Sequence, residues 1–277
     1  MKRLQYREKT LELSSPVVMG ILNATPDSFY TGRGHFSENE LLQQAEKMLI
    51  EGASILDLGG MSSRPGSKEL STAEELGRVL PVFRQIRKQF PNTWISVDTY
   101  RSDVAAPLLE EGADLINDIS GGILDPSLCE LAVQYQVPYI CMHMPGKPLD
   151  MQQHAQYEDV VSEVLKVLSE RIRELKSMGI TQVISDPGFG FGKNVNHNYQ
   201  LLSVLERFQE LDCPLLVGIS RKSMISRVLN IQAEQALNGT TALHMVALQK
   251  GAGILRVHDV LEAMQCIQLY RMLNPGA

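Results

Sequence analysis

Several side chains that a hydrophobic core has no use for fall directly after short apolar runs in this chain. They are Asn23, Asp57, Asp98, Asn117, Asp186, Ser220 with Lys222, and Arg256 with His258; only Met142, in the equivalent position after Val137–Cys141, is apolar. Asp and Asn are favoured helix caps and turn formers, which accounts for part of the set. Capping does not account for Lys222, Arg256 and His258. The chemistry divides into two halves. Asp98, Asn117, Asp186 and Lys222 offer acceptors, amide donors and a cation, a match for a flat ring bearing an amino group, ring N–H groups and a carbonyl, as in a pterin or guanine. Arg64, Arg256, His258 and Asn23 offer donors suited to phosphate oxygens, Arg in a forked manner. The substrate implied is a flat heterocycle carrying a phosphate.

The stretch DPGFGFGK, Asp186 to Lys193, alternates glycine with phenylalanine after an apolar pair, Val183-Ile184. Glycine at every second position lets the backbone come close to a flat ligand; the competing reading is a turn with both phenylalanines packed inward. Two nucleotide motifs are excluded. A Walker A loop ending at Gly192-Lys193 requires Gly at 187 and Ser or Thr at 194, where Pro187 and Asn194 stand, and the dinucleotide fingerprint fails on its glycine spacing. GISRK lacks the closing Gly of a nucleophile elbow, no HExxH is present, and His143 and His154 have no compact metal spacing. His143, behind a buried strand, reads as structural, and His197-Asn198 as a helix start.

The elements that must position these groups form an unbroken series. Short apolar strands at Val17–Leu22, Ser54–Leu56, Thr93–Val97, Leu115-Ile116, Val137–Met142, Val183-Ile184, Leu215–Val217 and Ile254-Leu255 alternate with helical patterns. Those patterns run from about Glu38 to Glu51, Ser71 to Gln89, Val104 to Glu111, Pro126 to Tyr135, Tyr157 to Met178 and Tyr199 to Leu211, then to about Lys250 and about Leu273. Eight strand–helix units over 277 residues predict a (β/α)8 TIM barrel, whose catalytic face is the C-terminal end of its strands. Alternation from Leu4 to Leu13 predicts a short N-terminal hairpin or cap. With no linker or composition shift, the chain reads as a single domain over 1–277, its core about 16–273.

Bulk properties agree. At 44% hydrophobic and 21% charged residues the chain can build a large core, and a net charge of −6 argues against a nucleic-acid partner. The four cysteines are widely spaced with no C-x-x-C, which predicts reduced thiols of a cytoplasmic protein. No apolar run approaches the ~18 residues of a membrane span, and the N-terminus lacks a signal-peptide core.

In order, MGILNATPDSF, DLGGMSSRPG, SVDT, INDI, MHMPGKP, DPGFGFGK, VGISRKSM and RVHDV resemble the motifs of the dihydropteroate synthase family over nearly the whole chain, from about Pro16 to the last helix. The resemblance implies condensation of (7,8-dihydropterin-6-yl)methyl diphosphate with 4-aminobenzoate, giving 7,8-dihydropteroate and pyrophosphate. It implies pterin binding by Asp98, Asn117, Asp186 and Lys222, with Ile119 and Met142 packing nearby and Arg256 along the ring. Pyrophosphate falls to Asn23, Arg64, Arg256 and His258, with Mg2+ at Asn23; Asp57 supports the first two loops. Phe29, Ser63, Arg64, Pro65, Phe191, Ser220 and Lys222 border the aminobenzoate site, where sulfonamides bind in the family. Asp98, Lys222, Arg256 and His258 are the implied catalytic set, and a homodimer through helices of the outer wall is implied as well.

The chain departs from the family pattern in two loops. Met61 stands where Glu is commoner and Ser63 where Thr is, and Tyr30-Thr31-Gly32-Arg33-Gly34 replaces a Ser-Asp-Gly-Gly continuation. Two other readings are a methyltetrahydrofolate-dependent methyltransferase domain, which needs no pyrophosphate cations, and a silent pterin-binding paralogue, which would have lost SSRPG or SRKS.

Overall fold

The computed structural model describes residues 3–25, 38–61 and 70–275. Two strands, β1 (Arg3–Tyr6) and β2 (Lys9–Glu12), form the antiparallel hairpin expected at the N-terminus. Alternation along β1 buries Leu4 and Tyr6 and exposes Arg3 and Gln5, so the hairpin seals an end of the main sheet by its apolar face.

That sheet is parallel and eight-stranded: β3 (Val17–Asn23), β4 (Ile55–Gly59), β5 (Trp94–Asp98), β6 (Leu115–Asp118), β7 (Tyr139–Met142), β8 (Val183–Asp186), β9 (Leu216–Val217) and β10 (Ile254–Val257). The order is β8-β7-β6-β5-β4-β3-β10-β9. Closure between β8 and β9 rests on a single bridge, Ser185 to Leu215, with Ser185 N–H donating to Pro214 O at 2.9 Å. The strands are apolar and buried on both faces because helices cover the outside and opposing side chains fill the inside.

Helices connect successive strands: α1 (Glu38–Ile50), α2 (Thr72–Gln89), α3 (Ser102–Glu110), α4 (Ser127–Tyr135), α5 (Val160–Met178), α6 (Val195–Ser203), α7 (Ser223–Leu229), α8 (Leu237–Gln249) and α9 (Val260–Leu273). Their starts follow local chemistry. Ser71 caps α2, exchanging hydrogen bonds with Glu74, and Asp159 caps α5 by accepting from Val161 and Ser162 N–H.

Two boundaries differ from the sequence expectation. The helix expected from Tyr199 starts at Val195, because Asn194 caps it by accepting from His197 N–H; it ends at Ser203, and Leu205–Leu211 is a 3-10 segment. The helical patterning expected from GISRKS to about Lys250 resolves into two helices, α7 ending at Leu229, where Asn230 takes the left-handed conformation (φ 54°) that stops a helix. The four cysteines are unpaired, with Cys129, Cys141 and Cys266 buried. Among the described residues no helix is long and apolar enough to cross a membrane.

Candidate active site

Every strand of the barrel ends on one face, and there the predicted polar residues meet. Arg256 on β10 spans the barrel mouth. Its Nε donates to Asp57 Oδ2 at 2.6 Å and its Nη2 to Asp98 Oδ2 at 2.6 Å. Asn117 Nδ2 donates to the same Asp57 oxygen at 2.8 Å. Four side chains from β4, β5, β6 and β10 are thus tied into one group. Asp57 is fully buried, and only 15% of the Asp98 side chain and 18% of Arg256 are exposed. Asp57 Oδ1 has no partner among the described residues. At Gly59 a Cβ would lie 3.2 Å from Asp98 Cβ, so a larger residue there would press on the Asp98 side chain.

Asp98 shares its guanidinium with a second carboxylate in a poorly solvated place, which disfavours its charge. Burial pushes the Asp98 carboxyl up to about 7; Arg256 opposes this, and the negative charges of Asp57, Glu75 and Asp118 add to it. Burial works against the Arg256 charge too, but Asp57 and Asp98 outweigh it and hold the proton above the ordinary Arg range.

The loop after β8 forms the second part of the site. Asp186 is buried, accepts from Gly188 N–H at 2.7 Å, and is pushed up by burial against the pull of Lys222. The two phenylalanines divide: Phe189 is fully buried in the main core, while Phe191 packs on a small apolar cluster of Ile119, Met142, Met144 and Met151. The reading in which both phenylalanines pack inward therefore holds for Phe189 alone. Lys222 donates to Phe189 O and stands 4.7 Å from the Phe191 ring centroid, a cation–π distance. Burial lowers the Lys222 ammonium to about 8, with Asp186 and Asp98 opposing and Arg256 assisting.

A third group joins the loops after β9 and β10. Ser220 Oγ lies 3.0 Å from His258 Nδ1 and accepts His258 N–H at 3.2 Å. Between Ser220 and Lys222, Arg221 adopts φ 53° and forks onto Asp259 with two bonds of 2.7 Å. Asn23 ends β3, half-buried, beside Gly59 of β4. The expectations for Phe29, Ser63, Arg64 and Pro65, and for the altered segment Tyr30–Gly34, fall outside the described residues.

Other residues that hold the site escaped the sequence reading. Glu75 is wholly buried, accepting from Thr99 Oγ1 at 2.8 Å and Arg101 Nη1 at 3.0 Å, and so ties α2 to the loop after β5. A signal was present: Glu75 lies on the buried stripe of α2 with Val79, Val82 and Ile86, where an acidic residue needs a partner. Asp118, pushed up by burial, accepts from Tyr139 Oη and from Ser120 and Gly122 N–H, which fixes the turn carrying Ile119. His143 is structural, as expected: it is buried, its Nδ1 lies 2.9 Å from Lys193 Nζ, and burial with that cation lowers it to about 2.

Residues 19–258 match the pterin binding enzyme family model. The dihydropteroate synthase of Haemophilus influenzae is 46% identical over 271 residues, 97% of this chain and 98% of its own. The chain belongs to the dihydropteroate synthase family. The Escherichia coli K12 member is 44% identical over 262 residues, 94% of this chain and 92% of the relative. Among solved structures, the Yersinia pestis dihydropteroate synthase with a sulfonamide drug complex superposes with a TM-score of 0.93 at 41% identity, covering 99% of both chains. The Xanthomonas albilineans dihydropteroate synthase in complex with 7,8-dihydropteroate gives 0.88 at 36% identity, covering 98% of both.

Proposed function

We propose that this site condenses (7,8-dihydropterin-6-yl)methyl diphosphate with 4-aminobenzoate, releasing pyrophosphate and 7,8-dihydropteroate, which makes the chain a transferase of folate biosynthesis. The observation that carries the reading is the Arg256 bridge between Asp57 and Asp98, with acceptor capacity left over on the carboxylates. A dihydropterin ring brings amino and ring N–H donors to Asp98 and Asp186, while Asn117 and Lys222 meet its polar edge. Ile119 and Met142 supply an apolar floor. Arg256 lies along the ring, and with His258, Arg64 and Asn23 it meets the diphosphate. Phe29, Ser63, Arg64, Pro65, Phe191, Ser220 and Lys222 border the aminobenzoate, in the place that sulfonamides take.

Departure of pyrophosphate leaves a delocalised cation on the pterin methylene. Ionised Asp98 stabilises that cation, Arg256 and His258 stabilise the leaving group, and the aniline nitrogen then attacks the methylene carbon and releases one of its protons to solvent. The site fits Mg2+. This ion usually takes one or two protein oxygens together with phosphate oxygens and water, and Asn23, at the end of β3, would supply one such oxygen from its amide. When bound, Mg2+ would neutralise charge on the diphosphate; Arg256, His258, Arg64 and Asn23 do the orienting. Sulfonamides and the two substrates are the small-molecule partners of this reading, and the whole chain acts as one cytoplasmic catalytic unit, paired as a homodimer through its outer helices.

The test is direct. Purified protein is mixed with the dihydropterin diphosphate, magnesium and radiolabelled 4-aminobenzoate, and labelled product and pyrophosphate are followed together. Equal production of both is expected. Tight pterin binding without product would instead make the chain a silent binder.

A further inference from the structure

One buried cation has no part in the chemistry above. Lys193 closes the DPGFGFGK stretch and is 4% exposed. Its ammonium donates to His143 Nδ1 at 2.9 Å, to Gly188 O and Phe191 O at 3.0 Å each, and reaches His143 O at 3.4 Å. A lysine buried this completely costs stability unless its donors are all used, and here they are. The acceptors belong to two different loops. His143 follows β7, and Gly188 and Phe191 follow β8. The loops are also in backbone contact, since a Cβ on Gly188 would lie 2.0 Å from His143 O.

Along the rest of the loop, side chains hold the successive carbonyls. Lys222 donates to Phe189 O, Gln152 to Gly190 O at 3.0 Å and Tyr157 to Gly192 O at 3.0 Å. Alternating glycines leave such a backbone free to take many conformations, and these bonds select one. Lys193 holds Phe191, and Phe191 is the residue whose ring stands beside Lys222.

We propose that Lys193 is a positioning residue for the aminobenzoate half of the reaction: its ammonium pins the Gly188 and Phe191 carbonyls against the loop after β7 and so sets the Phe191 ring beside Lys222. This rests on the reading of the site as a dihydropteroate synthase. Asn117 and Asp186 stand on strands, and Asp186 takes only one bond from the loop, from Gly188 N–H, so the larger share of the effect of losing Lys193 falls on the aminobenzoate.

The experiment compares steady-state kinetics of Lys193→Met and Lys193→Ala with the unmodified protein, varying each substrate in turn. Loss of positioning raises the KM for aminobenzoate by about tenfold or more while the KM for the dihydropterin diphosphate changes by less than about threefold. Ethylammonium, and not ethanol, restores part of the aminobenzoate affinity of Lys193→Ala. A role in stability alone lowers the active fraction instead, so kcat falls with both KM values unchanged, and that result overturns the proposal. Should both variants prove insoluble, His143→Leu and His143→Gln decide: the amide keeps an acceptor near Lys193 and the aliphatic does not, so equal aminobenzoate KM values in the two would refute the proposal. An inactive unmodified protein overturns the synthase reading and this inference together; an active one with a normal aminobenzoate KM in Lys193→Met overturns this inference alone.

Discussion

The two ends of the barrel each bury a cluster of acids and bases, and the clusters are built in opposite proportions. At the N-terminal end Asp114, directly before β6, accepts from Lys9 Nζ at 2.9 and 3.0 Å, from Ile95 N–H at 2.9 Å and from Arg87. Both cations also bond the carbonyl of Thr93, at 3.0 and 2.7 Å. One carboxylate is surrounded by two cations and an amide, and its acceptor capacity is spent. At the C-terminal end two carboxylates, Asp57 and Asp98, share the single guanidinium of Arg256, and Asp57 Oδ1 is left over. Chain-length charge counts do not distinguish the two. Acceptor saturation does: the Asp114 carboxylate is fully paired and the atom left over beside it is a donor, Arg87 Nε, whereas the upper cluster keeps an acceptor, Asp57 Oδ1, for a donor that comes from outside.

Substitution at each end separates these roles. The largest effect is expected for Arg256→Met, which removes the bridge and a phosphate-binding cation at once; kcat/KM falls on the order of 10³-fold, measured by initial rates. At the opposite end, Asp114→Ala leaves Lys9 and Arg87 without their acid and costs about 3–5 kcal/mol in urea denaturation, yet kcat at saturating substrate stays within about twofold. An equal loss of activity in both variants would erase the distinction between the ends.

Asp98→Asn is the finer probe of the upper cluster. It keeps shape and hydrogen bonding and loses the charge, so kcat drops about 10²-fold while binding of the dihydropterin diphosphate changes less; unchanged turnover would contradict the role given to Asp98. The pH profile tests the same group. Ionised Asp98 and protonated Lys222 are both required, so kcat/KM rises through about 7 and falls through about 8, and Asp98→Asn loses the acid limb. The sign for stability is opposite on that limb. With its folded value raised, Asp98 binds a proton in the native state between its ordinary range near 4 and about 7, so its contribution is full below that window and is lost as pH rises through it. The smallest effect is expected for Lys9→Met. Asp114 keeps Arg87 and Ile95 N–H, and the Lys9 side chain is 23% exposed, so the cost is about 1 kcal/mol with activity intact.

Much of the molecule is written in features that act over a few residues. Apolar runs followed by polar residues declare eight β/α units, and Ser71 with Glu74 or Asp159 at its helix start mark boundaries because a cap bonds to amides two or three positions away. The polar residue at seven of the eight strand ends was legible for the same reason, since strand, turn and helix follow one another in order. Residue types alone separated the ring-binding from the phosphate-binding set, but they assigned Arg256 to one and Asp98 to the other. Only barrel closure brings those two, 158 residues apart, within 2.6 Å.

The rest was decided by pairings across the fold. Asn117 turns its amide to Asp57, 60 residues away, and Lys193 finds His143 from 50 residues away. Lys9 of the hairpin reaches Asp114 across 105 residues. No local propensity encodes such partners. A buried charge is stable only where another loop supplies its counterpart, and which loops become neighbours follows from the order in which parallel strands close the sheet. Burial sets the proton affinities of Asp98 and Lys222 in the same way, because it depends on everything packed around them and not on the residues beside them in the chain.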